Sequence, residues 1–194
     1  MREAKIKLYT YEELTEEAKN KVIENMQRDD NFLMYDWYEY VFEIFKEDMY
    51  KKYSCDVRDI FFSGFWSQGD GASFTGSIAI KDYIEKTKQK SKYRSLHKYL
   101  EEYEPFVDIR QQGNYCHENT MYFDDHFFLE GTKKQHDQLY NIMDEMEETF
   151  REEARKLYRQ LEDEYEYLTS KECIEQEIIN AEYEFYADGR QPNF

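Results

Sequence analysis

The segment Ser63-Gly64-Phe65-Trp66-Ser67-Gln68-Gly69-Asp70-Gly71-Ala72-Ser73-Phe74 holds more chemical variety than any other stretch of the chain. Gly69 and Gly71 admit positive φ and let a ligand or another backbone approach closely. Trp66, Gln68 and Asp70 add a stacking face, an amide and a carboxylate, the inventory of a small-ligand or nucleotide-binding loop. The same residues also suit a plain hairpin, because Gly-Asp-Gly is turn chemistry and Trp66 and Phe74 can both be core. No GK[ST] follows, which excludes a P-loop, and no helix is expected to start there, which excludes a dinucleotide fingerprint.

A second group lies at Tyr115-Cys116-His117-Glu118, followed by Asp124-Asp125-His126. These are metal-ligand types, but neighbours on a strand point to opposite faces, so Cys116 and His117 cannot both ligate without a loop, and a structural zinc needs four ligands. We therefore expect no metal and no cofactor, and the same geometry argues against a Cys–His nucleophile pair. Should the two hairpin tips meet, Tyr115 and His117 would join Trp66, Gln68, Gly69, Asp70 and Gly71 in one ligand site. Asp70 and His117 would then be the pair to suspect of proton transfer.

The third chemical feature is charge. The formal net charge is −17, and residues 137–186 hold 16 acidic against 5 basic residues. Glu145, Glu148, Glu152, Glu153, Glu162 and Glu164 could present an acidic helix face to a basic protein. A solvated face with i,i+4 pairing to Arg151, Arg155, Lys156 and Arg159 accounts for the same pattern. The opposite sign gathers in one stripe: Lys81, Lys86, Lys88, Lys90, Lys92, Arg94 and Lys98. Wrapping of nucleic acid by the whole molecule is not expected, since it needs clustered Lys and Arg.

The elements that must position these residues follow from periodicity. Ile6 and Leu8 alternate as a short strand. Thr10 with Glu13 has capping-box spacing, and Thr15 is a competing N-cap for a helix carrying Leu14, Ala18, Val22 and Met26 and ending near Asp29-Asp30-Asn31. A second helix opens after Asp36 and presents Trp37, Tyr40, Val41, Ile44, Phe45 and Met49. The period then becomes two: Ile60, Phe62, Gly64 and Trp66, then Phe74, Gly76, Ile78 and Ile80, form a hairpin with one buried face. A second hairpin runs from Phe106 to Gln111, turns at Gly113-Asn114 and returns from Thr120 to Phe123. Leu139, Met143, Met146, Phe150, Ala154, Leu157, Leu161, Tyr165 and Leu168 recur at steps of three and four, one long amphipathic helix. A last helix, capped by Thr169 or Ser170, is expected to stop at Asp188-Gly189.

The fold class expected is α+β: an antiparallel sheet of four to five strands in two hairpins, packed with amphipathic helices, one of them long and acidic. With 194 residues, 40% apolar and 18% aromatic, a single domain over 1–194 is expected. Residues 55–130 would supply the two-hairpin sheet with an intervening basic helix, and 131–189 the helical C-terminal part. No segment has signal-peptide character or an apolar run of membrane-spanning length. Cys55, Cys116 and Cys173 are odd in number and scattered, so reduced thiols in a cytoplasm are expected. The apolar side of the long helix is long enough to form a homodimer, or to cover its own sheet.

Four separated pieces, Tyr9–Lys19, Phe62–Phe74, Asn114–Glu118, and Glu164–Ser170 leading to Glu184–Gly189, are similar to a family of uncharacterised bacteriophage proteins. Some members are described as the antitoxin of a toxin–antitoxin stability system. The resemblance implies phage origin, action in the cytoplasm of an infected bacterium, and no catalytic residues to carry over. It favours a non-enzymatic acidic protein that binds and neutralises a basic host or toxin protein, antitoxin-like or counter-defensive. The alternative is a small-ligand or nucleotide-binding module using the glycine-rich hairpin.

Overall fold

A computed structural model describes residues 6–29, 32–33, 36–127 and 130–192. The chain forms two compact units, one from Met1–Trp37 with Asp163–Phe194 and the other from Tyr38–Glu162.

The larger unit is α+β, as its periodicities require. Strands β2 (Asp56–Ser63), β3 (Gly71–Ala79), β4 (Phe106–Gln111) and β5 (Met121–His126) form an antiparallel sheet in the order β2-β3-β4-β5. Helices α2 (Glu39–Tyr53), α3 (Ile80–Lys86), α4 (His97–Tyr103) and the first thirty residues of α5 (Lys133–Leu168) complete it. Alternation assigns Phe74, Ile78, Val107, Ile109 and Met121 to one face of the sheet, where each is buried. Phe150 of α5 is the hub of that core. Its ring meets Tyr53, Tyr83 and Phe74 edge to face and lies over Phe123, with centroids 5.4 to 6.3 Å apart. Buried aromatic contacts of this kind add to the area term of burial. Of the apolar stripe of α5, Leu139, Met146, Phe150, Ala154, Leu157 and Leu161 are fully buried within the chain, and Met143 is half-buried.

The opposite sheet face is polar. Asp108 is met by Arg58 at 3.3 Å, Arg110 at 3.5 Å and His126 at 3.3 Å, and Arg110 also reaches Asp124 at 3.0 Å. His126 lies flat on Phe106, 4.2 Å between centroids. A bulge between Val57 and Ile60 interrupts the β2–β3 register, which resumes with Ile60 opposite Phe74.

The smaller unit joins the two ends of the chain. β1 (Tyr9–Thr10) pairs antiparallel with β6 (Glu184–Phe185), and α1 (Glu16–Arg28) packs with α6 (Lys171–Asn180). Its core is Tyr11, Leu14, Ala18, Val22, Ile23, Ile174, Ile178 and Phe185. Thr10 and Thr15 both act as caps. The Thr10 amide donates to Glu13 at 3.0 Å before a 3₁₀ turn, and the Thr15 hydroxyl accepts from the Ala18 amide at 3.3 Å at the start of α1.

Five local expectations are corrected. The N-terminal strand, expected to start at Ile6 in a segment ending at Thr10, is confined to Tyr9–Thr10, and it pairs with β6 instead of extending the main sheet. The basic stretch is two short helices: α3 ends where Lys88 takes φ +59°, and a 3₁₀ turn at Arg94–Leu96 leads into α4. The last helix ends at Asn180, since Glu182 has φ +52° and the chain then pairs as β6. Trp66 belongs to a loop, with φ +70°, and Trp37 precedes α2. The expected end of the first helix falls partly on Asp30 and Asn31, which lie outside the described residues.

Candidate functional site

The tips of the two hairpins meet. The loop after β2 is folded around Asp70, whose Oδ2 accepts from the Ser67 amide at 2.7 Å while its own amide donates to the Ser67 carbonyl at 3.2 Å. Both bonds close one tight turn, the local pairing that makes aspartate a turn residue. The facing loop, residues 112–120, is held by Gln112, whose amide donates to the Thr120 carbonyl at 2.9 Å, and by the Gln111 side chain, which donates to the Tyr115 carbonyl at 2.6 Å. His117 Nδ1 accepts from the Asn119 amide at 3.2 Å and caps a 3₁₀ turn over Glu118–Thr120. Glu118 anchors the loop to α5 through Arg155 at 3.1 Å.

The glycines explain how closely the loops approach. A Cβ on Gly69 would collide with the Tyr115 ring, its Cε1 only 2.7 Å away, and one on Gly71 would lie 2.6 Å from the His117 Cα. Tyr115 and His117 stack at 6.1 Å with 20° between planes. The space that Gly69 and Gly71 open is thus filled by the other loop's own residues. Five of the seven expected ligand-site residues, Gly69, Asp70, Gly71, Tyr115 and His117, belong to this interlock. Trp66 is displayed on the same loop, and the Gln68 side chain forms no hydrogen bond among the described residues.

Trp66 stands out, 73% exposed, and Tyr115 is 59% exposed. Next to Trp66 lies a cluster of tilted aromatic rings that no local pattern singles out: Phe65 at 5.5 Å, then Phe62 and Tyr158 of α5, each within 5.5 Å of Phe65. Burial, with the charges of Asp70 and Glu162, raises the Tyr158 hydroxyl above its ordinary value. Tyr158 is one residue off the α5 apolar stripe, and its partners are about ninety positions away, so no local pattern marks it.

The acidic residues of α5 divide. Glu153 is buried and accepts from Tyr53 at 3.0 Å and Lys156 at 2.9 Å. Glu145 bonds to Lys92 and to Tyr93; burial works against its ionisation, but those bonds prevail and hold its carboxyl below the ordinary range. Glu152 reaches Arg155 at 2.8 Å, and Glu148, its side chain 75% exposed, reaches the same arginine at 3.7 Å. Glu162, half-buried, forms no ion pair among the described residues; nor does Glu164, which is part of the smaller unit.

Among the described residues no three His, Cys, Asp or Glu side chains converge as a metal ion would require, and no helix is long and apolar enough to cross a membrane. Fold and site together define an α+β protein built on a four-stranded antiparallel sheet whose two hairpin tips interlock. The chain belongs to the family of a domain of unknown function, DUF8835, whose model matches residues 33–171. That match contains the whole of the larger unit, with its sheet, its interlocked tips and Trp66. No curated protein and no solved structure matches the chain.

Proposed function

We propose that this protein is a non-enzymatic binding protein whose recognition element is the interlocked pair of hairpin tips, with Trp66 and Tyr115 as anchors. The observation that carries the reading is Trp66 itself, 73% exposed on a loop braced by Asp70 and by the facing hairpin. A bulky residue at positive φ carries backbone strain, which persists where the surrounding structure over-determines it, often at functional sites. Exposed tryptophan and tyrosine are the side chains that most often become interface hot spots. Anchors held rigid before binding also lose little entropy on docking.

The partner is a basic protein. A net charge of −17 steers positive surfaces toward the molecule, and Glu148 supplies local negative charge on the helix that anchors the Tyr115 loop. In the setting implied by the resemblance to phage proteins, that partner is a host or toxin protein neutralised in the infected cell. This reading is favoured over a small ligand in the glycine loop because Tyr115 and His117 occupy the room the glycines provide.

The test is capture from bacterial lysate with wild-type, Trp66→Ala and Tyr115→Ala proteins over a salt series. A basic protein retained in stoichiometric amount by the wild type, released by salt and lost with either substitution, is the expected result. Equal capture by all three proteins would reject the tips as the recognition element.

A further inference from the structure

The basic stripe builds a cavity away from the hairpin tips. α3 ends at Lys86, the chain reverses through Lys88 at φ +59°, and the 3₁₀ turn and α4 come back alongside α3. The reversal is fixed by backbone bonds from the Gln89 amide to the Ile84 carbonyl at 2.9 Å and from the Tyr93 amide to the Gln89 carbonyl at 3.2 Å. Between these segments lies a cavity of about 390 Å³. Ile84, Tyr93 and Leu100 line it, each no more than 5% exposed, while Lys81, Arg94 and His97 lie exposed around them.

Charge separates this cavity from an ordinary surface groove. Its lining also carries two carboxylates, and both have local partners: Glu85 is met by Lys90 at 2.8 Å, and Glu101 by His97 at 3.4 Å. Lys81 and Arg94 form no ion pair among the described residues, although acidic side chains are plentiful in a chain of net charge −17. Lys81 acts on Glu85, a carboxylate already bonded to Lys90, so the lysines and arginine of the lining outnumber its carboxylates beside an apolar floor, which is complementary to an anion that carries its own apolar body. The volume is within the roughly 300–1,000 Å³ typical of small-molecule sites.

The geometry points to this cavity as a binding site for a small organic anion, a phosphate monoester or carboxylate whose compact apolar body rests on Ile84, Tyr93 and Leu100 while Lys81 and Arg94 hold the oxyanion. Arginine suits the anionic end because its planar fork pairs with two oxygens at once, and lysine adds a mobile point charge. The site is independent of the tip surface and neither supports nor needs the binding function proposed above.

The test is amide NMR titration of the full chain with 1-naphthyl phosphate and 1-naphthoate, and with inorganic phosphate and 1-naphthol as the separated halves. Shifts confined to residues 80–101 are expected with both naphthyl anions, with each half binding at least tenfold more weakly. The double substitution Lys81→Ala/Arg94→Ala, which alters only exposed side chains, should weaken naphthyl anion binding tenfold or more, while Lys98→Ala, outside the cavity, leaves it unchanged. Absence of shifts in 80–101 at millimolar probe would overturn the proposal. So would 1-naphthol binding as well as the anions, or the double variant binding like the wild type. Preference for the phosphate over the carboxylate, or the reverse, identifies which oxyanion the site takes.

Discussion

Gly71 and His117 lie so close that a single methyl group on the glycine would stand 2.6 Å from the histidine Cα. The neighbour is backbone, which cannot swing aside, so the two hairpins would have to separate for any side chain at position 71. Overpacking of this kind costs about 1–3 kcal/mol. Gly71→Ala should therefore lower the unfolding free energy obtained from urea denaturation by that amount. Gly113→Ala meets nothing within 4 Å and has only its φ of +85° to accommodate, so its cost should stay near the about 1–2 kcal/mol of one left-handed residue. A loss below about 1 kcal/mol for Gly71→Ala would show that the close approach gives way without cost.

The three cysteines should differ in reactivity. Cys55 is fully buried, and burial together with the Asp56 charge pushes its thiol up to about 12. Cys173 is half-buried, its thiol raised by burial and by the charges of Glu177 and Glu164, and Cys116 is half-buried on the tip loop. Since the thiolate is the reacting form, Cys55 should stay unlabelled by a thiol reagent at pH 8 until denaturant is added. Intact-mass spectrometry should show one or two labels on the native protein and three on the unfolded one. Rapid labelling of Cys55 in the native protein would contradict the packing at the end of α2.

Alkaline pH should destabilise the protein through its tyrosines. Burial and the Glu153 carboxylate raise Tyr53 above its ordinary value of 10.0, and burial with Glu175 does the same to Tyr11. A raised folded value means that the stabilisation is fully present below the unfolded value, about pH 10, and is lost as pH rises through the folded one. Absorbance at 295 nm should show a late group of tyrosines that ionise together with loss of ellipticity. Tyr53→Phe should flatten the decline in stability above pH 10, and an unaltered slope would remove Tyr53 from the account.

Removing the buried carboxylate should be costly in its own right. Glu153→Ala strips Tyr53 and Lys156 of their acceptor, and leaving a part-buried group unsatisfied costs about 1–3 kcal/mol. Glu153→Gln keeps an acceptor oxygen and should recover most of the loss in thermal melts. Equal behaviour of the two variants would mean that side-chain volume, not hydrogen bonding, is what matters there.

Within the smaller unit, Gly189 has φ +83°, and a Cβ there would lie 2.7 Å from the Ala18 carbonyl oxygen. Gly189→Ala should therefore loosen the contact of the C-terminal segment with α1. Hydrogen exchange should speed up in α1 and α6 while β3 and β4 keep their protection. Unchanged exchange in α1 would show that this approach is not needed.

Much of the fold was written locally. Alternation placed Ile60, Phe62, Phe74 and Ile78 on one sheet face, and three- and four-residue steps placed Leu139 to Leu161 on one helix stripe, because burial imposes the period of the element that carries it. The pairing of β1 with β6 was not legible, since two-residue strands some 175 positions apart leave no periodic trace. The division of the basic stretch was also hidden: a left-handed Lys88 is held by backbone bonds that the residue type does not announce.

The tip residues show the same boundary. The sequence alone marked Trp66, Gly69, Asp70, Gly71, Tyr115 and His117 as one unusual set, because glycine widens the backbone's choices beside side chains that can stack and hydrogen-bond. Only the tertiary structure decided what occupies the space at Gly69 and Gly71 and that Trp66 points outward. Those facts depend on which distant loop arrives there, and local propensity is blind to arrival. For the same reason, the spacing of Lys81 and Arg94 could show a basic stripe, whereas the cavity beside them exists only once the chain has turned back at Lys88.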